Sequence, residues 1–342
     1  MKIQIVSFTK QGGKLCALLQ NELKMQGHDC VGYCKYDTDG IKPLVCDINS
    51  FTKNAFDTCE AIVFIGAIGI AVRAIAPFIK SKQFDPAVLV IDATAKYVIP
   101  VLSGHIGGAN EFALSLSHIL SAQPVITTAT DCNDRFAVDT WALKNGCHIA
   151  NIENVKKISS AILNGEKVGL YSDFQVEGVL PEGIIYSQNT RVGICISTDE
   201  KHYFEHTLHL IPRQYVLGIG CKKNAKYESL IAFIASIFLE YKISQNEVEA
   251  IASIDLKAEE AALLGLSKKW KLPFYTYSAQ ELALVSGEFA ESSFVKATTG
   301  VGNVCERAAI KACACGSKLI VNKTCRDGMT IAIAKKEWRC KF

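Results

Sequence analysis

Apolar residues recur along the chain in two alternating patterns. Short apolar runs of strand character are followed by stretches with the 3.6-residue helical period. Lys2 to Phe8 predicts a strand, and Gly13 to Met25 a helix with Leu15, Leu18, Leu19 and Leu23 on one stripe. Gly27 is placed to end that helix. Ala61 to Ile65 reads as a buried strand, and Ile68 to Ile79 as a helix interrupted at Pro77. Ala87 to Ile91 and Val98 to Leu102 follow as strands, Ala109 to Leu120 as a helix, and Pro124 to Thr127 as a strand. Strands separated by helices predict an α/β layered sheet.

From Arg135 to about Arg213 the pattern thins. One helix, Val155 to Leu163, precedes the short β-like pieces Val168 to Tyr171, Gly183 to Tyr186 and Val192 to Ser197. A second α/β pattern opens with Tyr215 to Gly220. It continues through a helix to Tyr241, a strand Val248 to Ile254, a helix Lys257 to Trp270 and a strand Pro273 to Tyr277. Ser278 is positioned to cap a short helix. Val301 to Ala312 predicts a helix, and Lys318 to Val321 and Met329 to Ala334 closing strands. The expected fold is α/β: two layered α/β domains with mixed or mostly parallel sheets, joined by a smaller central α+β module. The expected boundaries are 1–135, 136–213 and 214–342.

Composition narrows the class. The chain has 342 residues, 49% hydrophobic and 21% charged, which excludes a disordered or fibrous chain. The longest apolar run, Ala61 to Val72, contains Gly66 and Gly69 and stops at Arg73. It falls short of the ~20 residues of a spanning helix. The start MKIQIVSFTK reads as a strand, so no export signal and no membrane association are expected, and a cytoplasmic location is. Fourteen cysteines then read as free thiols. Residues 1–213 carry 19 Lys+Arg against 21 Asp+Glu, and residues 214–342 carry 18 against 13. The basic excess is too scattered for nucleic acid. It fits a small anionic ligand, or simply a solvated face.

Five segments could carry chemistry. Leu102-Ser103-Gly104-His105-Ile106-Gly107-Gly108-Ala109-Asn110-Glu111 is a strand end, a glycine-rich turn and a helix start. Its glycines allow close backbone approach and its helix amides an anion site. Ser103, His105, Asn110 and Glu111 add four different polar groups. It matches neither the phosphate-binding GxxxxGK[ST] pattern nor GxGxxG in full, and a plain capped turn stays open. The second segment is Thr127, Thr128 and Asp131 after a strand. The third is Gly66, Gly69 and Arg73 where a strand turns into a helix, with Arg73 a candidate carboxylate partner. The fourth is Gly218, Gly220, Cys221, Lys222 and Lys223, suited to an anion held by amides and point charges. The fifth joins Ser253 and Asp255 to Gly300 and Glu306 at two further strand-to-helix transitions.

Two metal-like patterns are weaker. His202, His206 and His209 spell HxxxHxxH, but their surroundings do not read as a helix. Cys313–Cys315 and Cys30–Cys34 lack paired CxxC spacing. No protein metal site is expected.

LSGHIGGANEFALSLSHIL, then PVITTATD and Phe136-Ala137-Val138-Asp139-Thr140-Trp141-Ala142, resembles the core of the CbiG family. GAIGIAVRAIAP, GIGCKK, ASIDLKAEEAALLGLSKKWKLPF, TGVGNVCERAA and TIAIAK resemble further parts of that family, in order. The resemblance spans nearly the whole chain and is thinnest over 143–213. One departure is Lys222-Lys223, where the family often has arginine; charge is kept and fork geometry lost.

The resemblance implies a cobalt-precorrin-5A hydrolase of the anaerobic cobalamin pathway. Such an enzyme opens the ring A δ-lactone of a cobalt-tetrapyrrole and releases carbon C20 with its methyl as acetaldehyde, giving cobalt-precorrin-5B. It also implies no cofactor beyond the cobalt carried by the anionic substrate, and it allows a homodimer. Lactone opening needs a water activator and an oxyanion donor. His105 is expected as base, Glu111 or Asp131 as its orienter or as acid, and Ser103 as a further catalytic group. The Gly107, Gly108 and Ala109 amides are expected to hold an oxyanion or rim carboxylate, with Gly104 a further substrate-binding residue. Arg73, Lys222 and Lys223 would clamp other carboxylates. A role for His105 as axial cobalt ligand, and a non-catalytic tetrapyrrole carrier, are the alternatives.

Overall fold

The apolar runs of the first 130 residues become one twisted sheet with helices on both faces. The computed structural model describes residues 1–81, 84–128, 135–313 and 316–342. Asp131 lies outside them, as does Cys315. Chain contacts divide the molecule into two units, Met1–Thr140 and Trp141–Phe342.

The first unit contains β1 (Lys2–Ser7), α1 (Lys10–Met25), β2 (Asp29–Cys34), β3 (Lys42–Pro43), α2 (Ile48–Thr58) and β4 (Ala61–Ile65). It continues through α3 (Ile68–Ile75), β5 (Ala87–Ile91), β6 (Tyr97–Leu102), α4 (Ala109–Leu120) and β7 (Gln123–Pro124), and reaches into α5 (Val138–Lys144). The sheet order is β3-β2-β1-β4-β5-β6-β7. Successive strand residues alternate between its faces. Ile3, Ile5, Val63 and Leu89 pack with α1 and α4 on one side. Val6, Ile62, Phe64 and Val88 pack with α2 and α3 on the other. Both faces are covered, so the strands are continuously apolar.

Two features depart from the expected order. The strand β2, with β3 and α2, adds a second flank to the sheet; its DCVGYC sequence mixes polar and apolar residues and shows no clear period. More consequentially, β6 runs antiparallel to β5, pairing Leu102 with Val88 and Val98 with Ile91. The turn after β6 therefore lies at the amino edge of the parallel strands. The α3 helix turns where Pro77 enters, becoming a short 3-10 segment at Ala76–Phe78.

The second unit carries two five-stranded sheets. The first uses β8 (Cys147–Ile149), α6 (Glu153–Leu163), β9 (Val168–Ser172), β11 (Ile184–Ile185), β12 (Val192–Ile196) and β13 (His206–Pro212), with a small side pair of β10 (Val176–Glu177) and β19 (Cys340–Lys341). Its order is β11-β9-β12-β13-β8, parallel except at β8. The segment with His206 and His209 is thus a strand. His209 is buried, and its Nε2 lies 3.1 Å from the Ser197 carbonyl oxygen.

The second sheet contains β14 (Tyr215–Cys221), β15 (Val248–Ile254), β16 (Phe274–Tyr277), β17 (Lys318–Arg326) and β18 (Met329–Lys335). Its order is β16-β15-β14-β18-β17, with β18 antiparallel to both neighbours. The helices α7 (Tyr227–Tyr241) and α8 (Ala261–Trp270) cover one face. The short helices α9 (Ala279–Ala283) and α10 (Ser293–Thr299) precede α11 (Cys305–Cys313), which packs on the other face. Ser278 caps α9 with a reciprocal Glu281 bond. No helix among the described residues is long and apolar enough to cross a membrane.

Candidate active site

The chain leaves β6 through a turn that its own sequence locks. Ser103 adopts a left-handed backbone, φ +59°, unusual for a residue with a side chain. Its hydroxyl donates to the Asp85 carbonyl at 3.0 Å, and the residue is buried. Gly104 is needed because a Cβ there would lie 2.8 Å from Asn110 Oδ1. Gly108 takes a left-handed conformation at the start of α4.

The turn folds back onto the helix. The Gly108 amide donates to the His105 carbonyl, Ala109 to Ser103, and Asn110 to Gly104, at 2.9, 3.1 and 2.9 Å. The expected oxyanion amides of Gly108 and Ala109 are therefore taken by the turn itself. Ser103 is likewise a tie rather than an exposed hydroxyl.

Side chains of this turn line a cavity of about 320 Å³. Its walls include Pro100, Ser103, His105, Asn110, Thr128 and Asp139, with Thr127 at its side. His105 Nδ1 lies 3.1 Å from Asp139 Oδ2. The Asp139 carboxyl is 90% buried and sits in the first turn of α5, where the helix dipole favours an anion. Burial alone would raise its pKa. The His105 hydrogen bond and charge, with the Thr140 amide, outweigh that and hold it below the usual carboxylate range. A carboxylate on Nδ1 fixes the imidazole's orientation and favours the proton on that nitrogen. In the same lining, buried Asn110 donates from Nδ2 to Thr128 Oγ1 at 2.8 Å. That hydroxyl keeps its own proton to donate.

Asp139, rather than Glu111, is therefore the acid beside His105. Glu111 is exposed on the first turn of α4 and is not part of the cavity wall. Asp139 stands in the motif FAVDTWA, but 34 positions separate it from His105, and local spacing gives no sign of the pairing.

The remaining expected residues lie elsewhere. Gly66, Gly69 and Arg73 follow β4 at the sheet's opposite edge, and the exposed Arg73 folds back toward Gly69. None of the three is among the described residues that line the cavity.

In the second unit, the strand ends are mostly committed to packing. A Cβ on Gly218 would fall on the Cys305 carbonyl, so this glycine lets α11 press against β14. Gly220 faces Thr330. Ser253 is buried and donates to the Ile219 carbonyl at 2.6 Å. Gly300 ends α10 in a left-handed turn. Glu306 is buried. It accepts from the Lys323 amide at 2.7 Å, the Ala290 amide at 3.2 Å and Asn303 Nδ2. Burial pushes the Cys221 thiol up to about 11, which disfavours a nucleophile. Lys222, Lys223 and Asp255 remain at the surface. Among the described residues, no group of three His, Cys, Asp or Glu side chains could hold a metal ion.

Three family profiles match the chain in sequence order. They are Cobalamin synthesis G N-terminal over residues 50–131, Cobalamin biosynthesis central region over 136–212, and Cobalamin synthesis G C-terminus over 215–334. The chain is 34% identical over 283 residues to a cobalt-precorrin-5A hydrolase of Salmonella typhimurium, spanning 79% of this chain and 81% of that one. It is 30% identical over 306 residues to a protein of the same name from Priestia megaterium, spanning 84% and 81%. A solved structure of a cobalamin biosynthesis protein G homologue from Sulfolobus solfataricus aligns over 98% of this chain and 97% of its own, at TM-score 0.44 and 27% identity.

Proposed function

The chain belongs to the CbiG family, and from that premise we propose that it is a cobalt-precorrin-5A hydrolase. It opens the ring A δ-lactone of its cobalt-tetrapyrrole substrate and releases the C20 fragment as acetaldehyde, leaving cobalt-precorrin-5B. The observation that supports the assignment to this site is that the His105–Asp139 pair and the Asn110–Thr128 pair line one cavity.

The chemistry follows from that arrangement. His105, oriented by Asp139, takes a proton from water as it attacks the lactone carbonyl. Thr128 donates to the developing oxyanion in place of the turn amides. The freed C20 hydroxyl then needs a base, and His105 is within the same cavity. Electrons from carbon–carbon cleavage pass into the conjugated macrocycle and its cobalt, which the substrate supplies. No cofactor of the protein's own is invoked. Ser103 acts by holding the turn. Arg73, Lys222 and Lys223 are surface cations suited to rim carboxylates. A cytoplasmic location, no nucleic-acid partner and a homodimer belong to the same proposal.

Anaerobic incubation with the lactone substrate, followed by an acetaldehyde assay, tests the reading. Catalytic release of acetaldehyde is expected. Tight binding of the tetrapyrrole without turnover would favour a carrier instead.

A further inference from the structure

The cavity is small for the substrate class. At about 320 Å³ it lies at the lower end of the ~300–1,000 Å³ typical of small-molecule sites. A tetrapyrrole has four five-membered rings, a metal and a carboxylate-bearing rim. That volume matches one ring edge with its fused lactone better than the whole macrocycle. Every wall residue among the described residues comes from a single stretch of chain, 100–139, in one unit.

The groups needed for lactone opening are all within those walls. The His105–Asp139 pair and Thr128, held by Asn110, are both among the lining residues. The Ser103 hydroxyl is tied to Asp85 and so is not presented for acyl transfer, and water is taken as the nucleophile. Pro100, Val101, Leu102 and Ile106 give the cavity an apolar lining suited to ring carbons.

We infer that the lactone ring alone is a sufficient substrate for the first step, so the protein hydrolyses small monocyclic δ-lactones without the tetrapyrrole. This rests on the lactone-opening reading above. The oxygen of water bonds to the acyl carbon while its proton passes to His105 Nε2. The tetrahedral oxyanion accepts from the Thr128 hydroxyl. The ring C–O bond then breaks, and the departing alkoxide takes the proton back from His105. One lactone and one water give one δ-hydroxy acid, which ionises and releases a proton at neutral pH. No oxidant, reductant or cobalt is consumed. Carbon–carbon cleavage does not follow, because a simple ring has no macrocycle to accept electrons. Turnover is slower than on the full substrate, since binding energy from the remote rim is lost.

The test uses the full chain with δ-valerolactone at millimolar concentration, following acid release at constant pH and 5-hydroxyvalerate by proton NMR. Release above the protein-free rate is expected, falling about 10²-fold or more in His105→Ala. Thr128→Val is expected to slow it about 10-fold or more and Thr128→Ser to restore most of it, since removing a single donor is costly. Circular dichroism melts confirm that each variant is folded. The same preparation is assayed for acetaldehyde from the tetrapyrrole lactone. Acetaldehyde release with no δ-valerolactone hydrolysis overturns this inference and leaves the main reaction standing. Failure on both substrates overturns both. Hydrolysis that persists undiminished in His105→Ala also overturns it.

Discussion

The strand end after β6 and the strand end after β14 are both built from glycines, a cysteine or serine, and nearby charge, yet they do different work. After β6, glycine lets the backbone fold onto itself, and the side chains His105, Asn110 and Thr128 are turned toward a cavity. After β14, glycine lets a helix approach: Gly218 admits the Cys305 carbonyl, while Ser253 and Glu306 bond to backbone. The residue types are alike. What separates a site from a joint is whether the polar groups end on solvent-accessible space or on other parts of the chain.

That contrast can be broken by substitution. The largest effect is expected for His105→Ala, where acetaldehyde release should fall about 10²–10⁴-fold with little change in melting temperature. Asp139→Asn should follow, with a loss of about 10²-fold, because an amide on Nδ1 no longer stabilises the imidazolium. It also has a pH signature. The Asp139 pKa is held below its unfolded value of about 3.9, so its stability contribution is present above that pH and is lost as pH falls through the folded pKa. The gap in melting temperature between the parent and Asp139→Asn should therefore be widest at neutral pH and narrow below about pH 4.

At the buried positions of the second unit the expected losses are of stability, not chemistry. Glu306→Ala orphans three donors and should cost about 2 kcal/mol or more in urea unfolding, from a starting point where one unmet buried group costs about 1–3 kcal/mol. Gly218→Ala should cost about 1–3 kcal/mol by forcing α11 off β14. A catalytic loss at unchanged stability in either variant would erase the distinction between the two strand ends. The smallest effect belongs to Lys222→Ala with Lys223→Ala. KM for the anionic substrate should rise only a few-fold and the rise should fade with added salt, as expected for exposed charges.

Much of the fold is legible from hydrophobic periodicity. The strands Ala61–Ile65, Ala87–Ile91 and Val248–Ile254 and the helix Ala109–Leu120 match the structure residue for residue, and the helix expected to run to Tyr241 ends there. Strand direction is not legible. An apolar run looks the same either way, so nothing in YVIPVL signals that β6 opposes β5 and carries His105 to the edge away from Arg73. The site divides in the same way. His105, Asn110 and Thr128 stand out as polar residues at strand ends. Asp139 does not, because its partner is 34 residues away and its carboxylate looks like an ordinary helix-start acid. Nor does a sequence reveal that the Gly108 and Ala109 amides are already occupied, since that depends on how tightly the turn closes.

The closure of that turn bears on how amide protons exchange with solvent. Ala109 and Asn110 begin a helix, a place where amides usually open readily and exchange fast. Here both are held by carbonyls of Ser103 and Gly104, and Ser103 is itself tied to Asp85 ahead of β5. Their exchange should therefore be protected well beyond that of other first-turn amides. The turn would then be as slow to open as the sheet it hangs from, and His105 would be in place before any substrate arrives.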